Sequence, residues 1–235
     1  MIRNHKQAER GGFTLMETVI AIGVLALLLT GFLAVFAPAT AGIRKAISVQ
    51  EADRLAFALE KELVNLSDPS SSDYQNRFDK AYQWIEGSTN NNEAVLVYQY
   101  RAQIAGSLRA DGTREPYTQT GGAAGEDFVI QPIARRKDDP ELENDLDALE
   151  GRVYAAKMVQ LVFENGELVR GDEGKIKPPD GQGTSSNAET YPEAVIAFAA
   201  EFHLLPNSSY TYINSKFNVA QADQPMFIRN LAVRR

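Results

Sequence analysis

From Thr18 to Ile43 the chain carries no charged residue, and a single acid, Glu17, stands immediately before that run. A helix rises about 1.5 Å per residue, so about 20 such residues cross the hydrocarbon of a bilayer, and this stretch is long enough. A carboxylate one turn inside such a helix is costly while it lacks a partner. Glu17 therefore demands one. Upstream lies a short basic leader, Arg3, Lys6 and Arg10, which ends in Gly11 and Gly12. By the positive-inside rule the leader holds the N-terminus in the cytoplasm and sends the rest of the chain across. Gly12 has no side chain, so a protease can grip extended backbone there at low steric cost.

The succession Gly12-Phe13-Thr14-Leu15, then Glu17, then the uncharged helix resembles the prepilin signal of type IV pilins and of the pseudopilins of type II secretion. The resemblance implies that a membrane prepilin peptidase cuts between Gly12 and Phe13 on the cytoplasmic side and methylates the new amine. It implies that the helix then packs with other pilin or pseudopilin subunits into a filament raised by an inner-membrane assembly platform. Gly12 and Phe13 are then the processing residues, and Thr14, Leu15 and Glu17 the assembly residues. In this family the acid lies near the N-terminal amine of an adjacent subunit, and a buried carboxylate paired with a buried ammonium is tolerable where either alone is not. The implied protein is a single-pass protein of the bacterial inner membrane, in contact with lipid, with its C-terminal domain extracytoplasmic. Its segments would be a cleaved leader, 1–12, a long helix, 13–66, spanning the membrane to about 37–43, and a globular domain, 67–235.

Two simpler readings compete. A secretory signal could end at Ala37-Pro38-Ala39 or Ala39-Thr40-Ala41, but the apolar run exceeds the ~7–15 residues of such signals. A plain signal anchor would leave Glu17 at the headgroup level.

Beyond the membrane segment about 190 residues remain, enough for one domain with its own core. Losing Arg3, Lys6 and Arg10 against Glu9 moves the formal charge from −7 to about −9. That balance disfavours nucleic acid, whose phosphates call for a positive surface. Local groups, Arg135-Arg136-Lys137 and Arg229 with Arg234 and Arg235, are the places where a basic patch could still form. The chain has no cysteine, so lipoprotein attachment is excluded, as is the disulfide-bounded C-terminal loop of many type IV pilins. This departure turns the resemblance toward a minor, pseudopilin-like subunit.

After Pro38 the pattern turns amphipathic. Ile43, Ile47, Leu55, Leu59, Leu63 and Leu66 recur near helical spacing among Arg44, Lys45, Glu51, Asp53, Arg54, Glu60, Lys61 and Glu62. One helix from about Thr14 to Leu66 would reach roughly 80 Å, with a bend at Pro38 and Gly42. A second helix is expected over 73–86, with Tyr74, Phe78, Tyr82 and Ile85 on one face. Residues 94–104 alternate as a strand, Val95 and Val97 one way and Leu96, Tyr98 and Tyr100 the other. Residues 128–134 form another strand. Asp139 and Pro140 open a short helix closed by Gly151. Residues 153–164 and 167–169 flank an Asn165-Gly166 hairpin turn, and 194–204 and 226–233 complete the sheet. The sum is an α+β, pilin-like fold: a long N-terminal helix packed on an antiparallel sheet.

Catalytic and metal-binding patterns are sparse, and an enzyme is not expected; nor is a cofactor. One histidine survives leader removal, His203, and on its apolar strand it reads as a core or edge residue. The acidic run Asp138, Asp139, Glu141, Glu143, Asp145, Asp147 and Glu150 lacks the alternating acid and glycine pattern of a calcium loop, and reads as a solvated helix face. The turns at Gly171-Asp172-Glu173-Gly174 and Asp180-Gly181 are weaker still. The alternative to a filament subunit is a membrane-anchored adhesive or substrate-binding module, displayed through the long loops 106–127 and 170–193.

Overall fold

The computed structural model describes residues 14–66, 74–164, 166–178, 187–222 and 224–235. Two compact units divide the chain, Met1–Gln50 and Glu51–Arg235. Helix α1, Leu15–Val64, contributes to both, and Pro38 and Gly42 fall inside its bounds. In the first unit, Leu15–Ala34 is a stretch long and apolar enough to cross a membrane, with none of it buried.

The second unit is α+β. The C-terminal part of the expected stripe on α1 is present: Leu55, Leu59 and Leu63 are buried together with Ala52, Ala56 and Ala58, whereas the side chains of Ile43 and Ile47 lie outside those described. Leu66 lies beyond the helix end and is exposed. Helix α2, Arg77–Gly87, begins later than its sequence pattern suggests because Asn76, in extended backbone, caps it and accepts the Asp79 N–H at 3.0 Å. Tyr74 therefore sits outside the helix, where its hydroxyl accepts the Trp84 indole N–H at 3.0 Å.

The strands are β1 (Val95–Gln103), β2 (Phe128–Arg136), β3 (Leu149–Glu164), β4 (Glu167–Arg170), β5 (Val195–Leu204) and β6 (Phe227–Arg234). They pair antiparallel in the order β2-β1-β3-β5-β6, with β4 attached to β3. The sheet is buried on both faces, and β1 shows why. Val95 and Val97 join Leu55, Leu59, Leu63, Phe78, Tyr82 and Ile85 in the larger core. Leu96, Tyr98 and Tyr100 join a second core with Leu142, Ile213, Phe217 and Val219 on the other face. The cover on that second face includes two short helices, α3 (Leu142–Asp147) and α4 (Tyr210–Ser215), and α4 had no counterpart in the sequence reading.

Two local expectations are corrected here. Asp139 does not cap α3, whose N-cap residue is Glu141. Asp139 and Pro140 form the turn before it, in which the Asp139 carboxylate accepts the Glu141 N–H at 2.8 Å. Gly151 does not close the helix either; it lies within β3 at φ +85. The register of β1 against β3 jumps there, Val97 facing Tyr154 but Gln99 facing Glu150. The extra residues on β3 form a bulge whose left-handed backbone glycine accommodates without strain. Downstream, β3 outruns β1 and turns through Gly166, at φ +89, into β4, as the Asn-Gly signal anticipates.

Candidate processing and assembly site

Gly12, Phe13 and the basic leader lie outside the described residues. Thr14 is the first described, and it opens α1. Its hydroxyl accepts the Glu17 N–H at 3.3 Å, while one Glu17 oxygen, Oε2, accepts the Thr14 N–H at 2.9 Å and the Thr14 hydroxyl at 3.0 Å. This is a capping box, which satisfies two orphan groups of the first turn reciprocally. The Thr-x-x-Glu spacing is its sequence signal, and the sequence reading passed over it by treating Glu17 only as a charge. The other oxygen, Oε1, makes no hydrogen bond among the described residues.

Leu15 belongs to the apolar helix that follows, where every side chain through Ala34 is exposed. Polar groups in this stretch serve the backbone: the Thr18 hydroxyl donates to the Thr14 carbonyl at 3.1 Å and the Thr30 hydroxyl to that of Ala26 at 2.8 Å. Such bonds let hydroxyls sit in an apolar medium at little cost. Gly23 and Gly31 have open space where a side chain would stand, which leaves room for close approach by another helix. Among the described residues the site thus offers a capped carboxylate with one oxygen unbonded, at the head of an exposed, largely apolar helix surface.

The globular unit redirects the charged motifs of the sequence. Asp145 is fully buried rather than solvated. Its carboxylate accepts from Arg135 Nε at 2.6 Å, from Arg109 Nη1 at 2.6 Å and from the Tyr98 hydroxyl at 2.9 Å. Arg135 also pairs with Asp139 at 3.0 Å and Asp111 at 2.9 Å. The electrostatics follow. Burial is the largest single influence on the Arg135 guanidinium and depresses it, but Asp145, Tyr98 and Asp139 together outweigh this and raise it. Burial, then the charge of Asp145, pushes the Tyr98 phenol well above its usual range. For Asp111, burial acts upward, yet the Thr113 hydroxyl and N–H together with Arg135 bring the carboxyl below its ordinary value.

This cluster also fixes loop 106–127. The strand-like bridges Ala102–Pro116 and Leu108–Arg114 fold its first half back on itself, and Arg109, Asp111 and Thr113 tie it to α3 and β2. Several of the basic groups named as possible patches are spent internally. Arg136 pairs with Glu93 and Asp138, Arg229 with Asp53, and Arg235 lies over the Phe78 ring while donating to the carbonyls of Ala188 and Tyr191. His203 is buried on β5, its Nε2 3.8 Å from Glu201. Glu201 binds Arg170, which also meets Glu173, and Glu173 binds Lys157. Among the described residues no group of three or more histidines and acids is placed to hold a metal ion.

No family model, no curated protein and no solved structure matches this chain.

Proposed function

We propose that the chain is a structural subunit of prepilin type: held in the inner membrane by α1, cut between Gly12 and Phe13, and assembled with like subunits into a filament of the type IV pilus or type II secretion kind. The observation that carries this reading is Glu17. A carboxylate at the head of an uncharged, unburied helix is tolerable in lipid if capping satisfies one oxygen and a neighbouring subunit's new amine satisfies the other. Residues 13–66 then act as membrane anchor and assembly helix. Phe13 would be the methylated terminus, and Thr14 and Leu15 would help set the helix start. The α+β unit becomes the extracytoplasmic face, and its role is structural rather than catalytic. The minor, pseudopilin-like subtype fits a chain without cysteine.

Mass analysis of the N-terminus of the mature protein tests this. A chain beginning at methylated Phe13, formed only when a prepilin peptidase is present, supports the reading. A chain starting at Met1, or after Ala39 or Ala41, refutes it. The display reading is less well supported, because it needs loop 106–127 free and the first half of that loop is clamped by Arg109 and Asp111.

A further inference from the structure

Strands β2 and β6 are the two ends of the five-strand path, and their free edges differ. At the end of β6, the Arg235 N–H donates to the Ala194 carbonyl at 2.8 Å. Hydrogen-bonded pairs alternate along an antiparallel ladder, so Arg229, Leu231 and Val233 turn their backbone toward β5. Ile228, Asn230, Ala232 and Arg234 turn theirs away, and all four are exposed. Among the described residues none of their N–H groups has an acceptor. Of their carbonyls only that of Ile228 is met, by the Arg229 guanidinium at 3.3 Å. The strand runs for eight residues without proline or glycine.

The β2 edge is guarded instead. Arg101 bonds Ala148 and Tyr117 through its backbone and so turns away from β2. Its partner Ile130 therefore faces outward, and with it Phe128, Pro132 and Ala134. The Phe128 carbonyl accepts the Gly125 N–H at 2.8 Å, Pro132 has no N–H to offer, and Ala134 is buried. Folds blunt the edges they do not use in this way, because a long open edge takes up other strands. Only one end of this sheet carries such devices.

A row of free donors and acceptors at two-residue spacing is matched by the backbone of another extended strand. We propose that β6 receives a strand from a different subunit of the same filament, hydrogen-bonded to Ile228, Asn230, Ala232 and Arg234. A second copy of this chain fits less well. Its β2 is guarded, and a symmetric pair of β6 strands runs antiparallel. Within the globular unit α1 crosses the sheet from β6, where Asp53 meets Arg229, toward β2, where Asn65 meets Asp111 and Asp111 meets Arg135. A symmetric pair would reverse α1 in one copy, which does not suit two chains anchored in one membrane with the same orientation. Arg229 is held by Asp53, and Arg235 by the carbonyls of Ala188 and Tyr191. Arg234 is exposed and has no ion pair among the described residues, so the incoming strand brings a carboxylate to that end. The proposal rests on the filament reading and names a contact between neighbours outside the membrane.

Pro132 shows that this fold accepts proline at an outward position of an end strand. Ala232→Pro therefore removes one outward N–H and leaves the ladder to β5 intact; unchanged thermal unfolding by Trp84 fluorescence confirms that it folds. The full-length chain is compared in native membranes containing its assembly system and in detergent. Amide hydrogen exchange over 227–234 is expected to be about tenfold slower in the membranes. Ala232→Pro should remove that protection and lower entry into the sheared filament fraction about tenfold, and Arg234→Glu should lower entry about threefold. Equal exchange in the two samples, or normal entry of both variants, would overturn the proposal. So would a strong Leu231→Cys homodimer on oxidation, since Leu231 meets its own copy when Ile228 of one β6 pairs with Arg234 of another. The N-terminus is read from the same samples. A chain cut at Gly12 and assembled regardless of Ala232→Pro sinks the strand contact and spares the filament reading. An uncut chain whose β6 is protected in membranes, and released by Ala232→Pro, does the reverse.

Discussion

Arg135 Nε donates to Asp145 Oδ2 at 2.6 Å with both side chains buried, joining β2 to α3 from ten residues apart in the chain. The geometry stabilises because the rest of the carboxylate is also satisfied, by Arg109 and Tyr98. Removing one member of a buried pair strands the other's charge at a cost of about 3–5 kcal/mol. Asp145→Ala is therefore expected to lower the stability of the globular unit by that order, measured by denaturant unfolding of the detergent-solubilised chain. Tyr98→Phe removes one neutral donor to a charged acceptor and should cost about 1–3 kcal/mol. Equal losses for the two variants would show that the ionic contacts add nothing.

Acid should loosen this region and the separate Lys157–Glu173 contact, with a definite sign. Asp111 has its folded pKa depressed, burial being outweighed by Thr113 and Arg135. Glu173 is depressed by its hydrogen bond to Lys157. A group whose folded value lies below its unfolded value contributes stability above the unfolded pKa and loses it as pH falls through the folded one. Stability is expected to be level near neutrality and to decline as pH drops through and below the ordinary carboxylate range. Asp111→Asn should flatten part of that decline. A profile indifferent to Asp111→Asn would place the acid sensitivity elsewhere.

The seam between α1 and α2 depends on Lys80, a buried lysine whose Nζ donates to Glu62 at 2.6 Å and to the Asn65 carbonyl at 2.7 Å. The same ammonium lies 5.0 Å from the Trp84 ring centroid, so the site combines charge pairing with a cation–π contact. Lys80→Met keeps the stem's packing but removes the cation, and a loss of about 3 kcal/mol is expected. Glu62→Gln, which leaves a neutral acceptor in place, should cost less. Thermal unfolding followed through Trp84 fluorescence reads both.

How far the sequence carried this fold depends on how local each cause is. The β1 alternation was legible because each residue's face follows from its own parity, and the two cores divide as that parity requires. Helix α4 was not, since six residues, Tyr210–Ser215, show too little periodicity, although Ser209 accepting the Tyr212 N–H is a cap signal. Asp145 was misread because neighbouring acids suggest a solvated face, whereas its partner Arg109 comes from 36 residues away. Loop 106–127 was opaque for the same reason: its order comes from tertiary ion pairs, not from its own glycine-rich composition. Gly12 and Phe13 remain sequence-level expectations. Thr14 and Glu17 gained a geometry that their spacing had already encoded.

That geometry separates two roles for Glu17, capping its own helix and pairing with a neighbour. Thr14→Val deletes the hydroxyl that accepts the Glu17 N–H at 3.3 Å and donates to Oε2 at 3.0 Å, but keeps the backbone N–H bond at 2.9 Å. Loss of such a cap costs about 1 kcal/mol, and a long helix held by lipid can absorb it. Glu17→Gln does the opposite: glutamine serves in a capping box as glutamate does, but brings no charge to a neighbouring ammonium. If pairing between subunits is what the acid supplies, Thr14→Val should be inserted, cut and incorporated nearly as the parent chain is. Glu17→Gln should be inserted and cut, yet fail to enter filaments, as read by shearing and immunoblotting of the assembled fraction. Normal incorporation of Glu17→Gln beside failure of Thr14→Val would make Glu17 a capping residue only, and the filament reading would lose its main support.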